Sequence, residues 1–106
     1  MKKNKLFYLI IFISLNLFFL PAKSDSMFDK GRNVFLNMAA CSTCHVLADA
    51  GSKGQIGPNL NEIRPDKIRV VNVVTNGIGV MPAYEGQLST EEIDALAHYV
   101  AISASQ

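Results

Sequence analysis

The stretch CSTCH, Cys41 to His45, constrains this chain more than any other. Its two cysteines are the only ones in 106 residues, and a histidine follows the second directly. Such a pair can be half of a zinc site, a redox-active disulfide, or the anchor of a covalently held group. The rest of the chain bears on the choice.

A structural zinc site takes four nitrogen or sulfur ligands, usually as two spaced pairs. Here one pair is joined only by His45 and His98. His98 lies about 140° around a helix from Ile93, off the apolar stripe, and is expected to be a solvated surface histidine. A thiol–disulfide exchange site opens a helix that follows a strand, whereas the residues before Cys41 read as helix. C-x-x-C-H is also the attachment signature of c-type haem. The thiols become thioethers on the haem vinyl groups, and one turn of backbone brings the histidine under the iron.

The N-terminus favours the third use. MKKNKLFYLIIFISLNLFFLPAKSDS has a lysine-bearing start, an apolar run from Leu6 to Leu20, and small residues at Ala22 and Ser24. This is export-signal patterning with cleavage expected between Ser24 and Asp25. The run is shorter than the roughly 18 to 20 residues that span a bilayer, which disfavours an uncleaved anchor. The expected division is a signal peptide, 1–24, and one domain, 25–106, placed in the periplasm with no stable membrane span. Haem c is attached outside the cytoplasm, so the signal and the motif agree.

Loss of residues 1–24 leaves 82 residues. Lys+Arg falls from 10 to 6 while Asp+Glu stays at 9, so the net charge moves from +1 to −3. No basic patch for nucleic acid remains. A domain of about 80 residues is marginal on side-chain packing alone and usually needs a staple.

Three segments read as helices. From about Met27 to Ala40, Met27, Phe28, Gly31, Val34, Phe35 and Met38 share one face, the pattern of an amphipathic helix. Asp25 or Ser26 can cap it, and Gly31 on the apolar face suits close approach of another helix. LSTEEIDALAHYVAIS carries a capping box at Ser89 and Glu92 and an apolar stripe through Ile93, Leu96, Ala97 and Val100. RPDKIRVVNVVTNG has β-branched residues that favour a strand, but Pro65-Asp66 suits a helix start and Asn76-Gly77 a helix stop. A helix is expected there. The glycine-rich residues between Cys44 and Arg64 are expected to form an irregular loop.

A haem iron normally takes a second axial ligand. Met27, Met38, Met81, His98 and Lys53 are the candidates. Met27 and Met38 read as core filling. Met81 lies in NGIGVMPAY, a loop after a helix stop, stiffened by Pro82. Met81 follows His45 by 36 positions, which leaves enough chain to cross from one haem face to the other.

CSTCH, then GPNL (57–60), then NGIGVMPAY (76–84), then a final helix with ALAHYV, together resemble a small bacterial class I monohaem cytochrome c, over nearly the whole chain from Phe28 to Ile102. The resemblance implies an all-α cytochrome c fold, with three main helices and loops packed around one covalent haem c. It implies thioethers at Cys41 and Cys44, proximal His45, distal Met81, and a Pro58 carbonyl that accepts the proton of the other His45 ring nitrogen. Leu60 and Ile56 would pack on the haem, and Gly31 and Phe35 would cross the last helix near Leu96 and Tyr99. Arg64, Arg69, Asn59 and Tyr84 are candidates for the propionates. The absence of tryptophan and the valine-rich middle helix depart from the family pattern.

The implied activity is single-electron transfer between redox proteins, not enzymatic turnover. His/Met ligation leaves no open iron position, which disfavours a haem enzyme or gas sensor. DAG-x-x-G-x-x-GPNL with NGIGVMPAY is also similar to cytochrome subunits that accept electrons from periplasmic sulfite dehydrogenases. A sulfite dehydrogenase is thus one expected donor, and an oxidase or another cytochrome the acceptor. A free carrier feeding a terminal oxidase is the competing expectation.

Overall fold

The computed structural model describes residues 25–106; the expected signal segment lies outside the described residues. In chain order the elements are α1 (Ser26–Asn33), a π-helical turn (Val34–Met38), a 3-10 turn (Cys41–Thr43), β1 (Val46–Leu47), a second 3-10 turn (Ala48–Ala50), β2 (Ser52–Lys53), α2 (Leu60–Ile63), α3 (Lys67–Asn76) and α4 (Thr90–Ser103). α1, α3 and α4 are the three main helices, and the first and third both pack on the last.

Each main helix starts on a side-chain cap. Asp25 accepts from the Phe28 N–H at 3.2 Å, and Asp66 from that of Arg69 at 2.8 Å. At α4 the capping box is complete: the Ser89 N–H donates to Glu92 Oε1 at 2.8 Å, and the Glu92 N–H to Ser89 Oγ at 3.1 Å. These caps satisfy N–H groups with no partner inside the helix. α3 is helical despite its valines because Val70 and Val74, one turn apart, fill the core while Asn72 and Asn76 face solvent.

α1 and α4 cross at Gly31. A Cβ there would overlap the Ala95 carbonyl oxygen and come within 2.6 Å of the Tyr99 Cβ. Phe28 and Phe35 clasp the Tyr99 ring edge-on, with centroids 4.8 and 5.8 Å away. The core continues through Val34, Leu47, Leu60, Leu96 and Val100.

Three expectations need correction. The first helix is not α-helical to Ala40: the Ala39 N–H reaches five residues back to the Val34 carbonyl at 2.9 Å. The wider turn rotates Met38 off the buried face, and it is 49% exposed. The loop between Cys44 and Arg64 is more regular than its glycines suggest, holding the antiparallel β1–β2 pair and the one-turn α2. His98 is not simply solvated. Its side chain is 25% exposed and its Nε2 lies 2.8 Å from Asp25 Oδ2, joining the start of α1 to the second half of α4.

Candidate functional site

The approach to the cysteines is set by backbone. Ala40 adopts a left-handed conformation with φ 51°, which turns the chain sharply out of the π-helical turn. The next three residues form the 3-10 turn, with Cys44 as its C-cap. The N–H groups of both Cys44 and His45 donate to the Cys41 carbonyl, at 3.1 and 3.0 Å. The two thiols and the imidazole are thus fixed on one tight turn. Both thiols are free and half-buried.

His45 is held by the GPNL segment. Its Nδ1 lies 2.7 Å from the Pro58 carbonyl oxygen, which can only accept, so Nδ1 carries the proton. In the neutral imidazole, Nε2 is then the nitrogen that keeps its lone pair. Gly57 closes over the ring: a Cβ there would sit 2.5 Å from Cε1 and 2.8 Å from Nδ1. The Gly57 N–H donates to the Cys44 carbonyl at 2.7 Å, locking the segment onto the turn. Leu60, first residue of α2, is buried at 8% exposure.

Met81 lies on a tight return after α3. The Ile78 N–H donates to the Met81 carbonyl at 3.1 Å and the Met81 N–H to the Ile78 carbonyl at 2.9 Å. Its side chain is half-buried and packs on the same core as Cys41 and Leu60. Around these segments Met38, Ile56, Ile63, Ile78 and Val80 are all exposed. These side chains, on the segments that carry the thiols, the imidazole and Met81, are free to contact an apolar group.

The propionate candidates separate. The Asn59 side-chain oxygen accepts from the Asn61 N–H, and Arg64 Nε donates to the Asn61 carbonyl. The Tyr84 hydroxyl donates to the Ala39 carbonyl at 3.0 Å. Burial raises its pKa, with the Cys41 and Cys44 thiols adding to the effect, so it remains a donor. Sequence reasoning gave Tyr84 no structural partner, because the two residues are 45 apart. It also missed the anchor beneath the site. The buried Tyr99 hydroxyl donates to Asp49 Oδ2 at 2.7 Å, and Arg32 Nε lies 3.4 Å from the same oxygen. This ties the turn after β1 to the helix crossing.

The competing chemistries fit poorly. Among the described residues no three His, Cys, Asp or Glu side chains gather as a metal site. Burial pushes the Cys41 thiol up to about 11, the opposite of the lowered value that activates a thiol for disulfide exchange. No strand precedes Cys41 among the described residues. A depression between α3 and α4, along Val71, Leu88 and Ile93, is lined by no thiol, imidazole or thioether. Covalent haem does fit: paired free thiols, a histidine with Nε2 open, a glycine that leaves room for its ring, and an apolar surround.

Comparison with known proteins agrees. Residues 26–100 match the family described as "Cytochrome C oxidase, cbb3-type, subunit III". Cytochrome c6 of Microcystis aeruginosa is 32% identical over 84 residues, covering 72% of this chain and 96% of that one. The cbb3-type cytochrome c oxidase subunit FixP of Bradyrhizobium diazoefficiens is 31% identical over 86 residues, which is 76% of this chain but 29% of FixP. The crystal structure of the c-type cytochrome SorU from Sinorhizobium meliloti superposes with a TM-score of 0.74 at 47% identity, covering 78% of this chain and 97% of SorU. The fold, the thiol pair with its histidine, and these likenesses place the chain in the class I cytochrome c family, as a small monohaem electron carrier with one covalent haem c.

Proposed function

We propose that the protein is a periplasmic one-electron carrier whose haem is bound by Cys41 and Cys44 and ligated by His45 Nε2 and Met81 Sδ. The observation that carries this reading is the 2.7 Å contact from His45 Nδ1 to the Pro58 carbonyl. It fixes the tautomer, presents Nε2, and makes the imidazole a stronger donor. Bound haem supplies an iron that gains or loses one electron. Met81 would contribute a soft sulfur, which would raise the reduction potential relative to a second histidine. Leu60 and the apolar surround exclude water. Were His45 and Met81 both to hold the iron, they would leave no position for oxygen or substrate.

Residues 1–24 serve as a cleaved export signal in this reading. Val80, 89% exposed, and Met38 flank the site as an apolar docking patch. Electron-transfer encounters use small interfaces of this kind. The loop resemblance, supported by near full-length similarity to SorU, favours a dehydrogenase donor, with a sulfite dehydrogenase the specific proposal. A second reading, delivery to a terminal oxidase, is favoured by the similarity to part of FixP.

The test is spectroscopic. Oxidised wild type is expected to show a weak near-infrared sulfur-to-iron band, absent from Met81→Ala with covalent haem retained. Rapid CO binding by reduced wild type would overturn the closed site. Stopped-flow reduction by a sulfite dehydrogenase, set against oxidation by a cbb3-type oxidase, separates the two partner readings.

A further inference from the structure

We propose that Tyr84 is a positioning residue for Met81: its hydroxyl, bonded to the Ala39 carbonyl, straps the methionine-bearing loop to the chain that leads into Cys41. The inference rests on the His45/Met81 ligation proposed above and deepens it.

The backbone bonds of the Met81 loop run to α3 or within the loop. The Tyr84 N–H donates to the Val74 carbonyl at 2.8 Å, and that of Glu85 to Thr75 at 3.4 Å. The Ile78–Met81 pair closes on itself. These contacts fix the loop to α3 but not to the cysteine turn. Among the described residues, one hydrogen bond joins residues 76–88 to residues 39–58, and it is Tyr84 to Ala39 at 3.0 Å.

The accepting end is shaped to receive it. Left-handed Ala40 swings the chain out of the preceding helical turn, and the Ala39 carbonyl takes no backbone hydrogen bond. Ala39 itself is buried. A buried carbonyl of this kind needs a donor, and Tyr84 supplies it. Among the described residues, the segments that carry His45 and Met81 share no other hydrogen bond. The strap therefore governs how firmly the sulfur is held at its post. Loosening it gives a competing ligand more access without removing the methionine.

The experiment uses the full holoprotein, wild type and Tyr84→Phe, which keeps the ring and removes only the hydroxyl. Ferric protein is titrated with imidazole while the sulfur-to-iron band is followed. Global unfolding in guanidinium is measured by far-ultraviolet circular dichroism on the same samples. The expected result is that half of the band is lost at about tenfold lower imidazole in Tyr84→Phe, the scale of one net hydrogen bond. An imidazole midpoint within twofold of wild type overturns the inference. So does a fall in global stability with no change in imidazole midpoint, which would make Tyr84 a packing residue only. A wild type without the band overturns the Met81 ligation first, and the inference with it.

Discussion

Gly57 shows how much of the site hangs on single atoms. The His45 ring cannot simply swing away from an added Cβ, because Nδ1 is bonded to Pro58 on the same segment. Gly57→Ala is therefore an overpacking substitution. It is expected to cost about 2 kcal/mol, or a fall in Tm of roughly 10 °C, and to lower the yield of haem-loaded protein. Thermal denaturation and the haem-to-protein absorbance ratio check this. At this scale the sequence was unevenly informative. Cys41, Cys44, His45 and the Pro58 carbonyl could be read from local spacing and the family resemblance, and the structure brings them onto one turn and its closing segment. The bonds of Tyr84 to Ala39 and of Tyr99 to Asp49 span 45 and 50 residues. Nothing local in the sequence announces them.

The elements were legible where caps mark their ends. Ser89 with Glu92, Asp66 and Asp25 each begin a helix as their side chains allow. The π-helical turn was not legible, because one extra residue in the ladder leaves the apolar pattern nearly unchanged while shifting which side chain meets the core. Asp25 does two jobs, capping α1 and meeting His98 of α4. Its carboxyl is held below the ordinary 3.8, first by the His98 hydrogen bond and then by the Phe28 N–H. A carboxylate depressed in the folded state binds more protons when unfolded. Its contribution is therefore present above pH 3.8 and is lost as the pH falls through the lower folded value. Asp25→Asn is expected to be less stable than wild type at pH 6 and to converge on it once the pH has fallen through the folded value. Guanidinium midpoints across that range measure the difference.

The whole molecule is small for its task. Residues 25–106 give three main helices meeting largely along one crossing, and a core of that size is marginal. Covalent haem acts as the missing staple, so Cys41→Ser with Cys44→Ser is expected to hold no covalent haem and to show no cooperative unfolding transition. Haem staining on a denaturing gel and circular dichroism report the two outcomes. Ile56, Ile63 and Ile78 are 69%, 51% and 63% exposed. Exposed apolar side chains that can meet a partner can also meet another copy of the same chain. What suits the carrier to brief encounters thus also sets a ceiling on the concentration at which it stays dispersed.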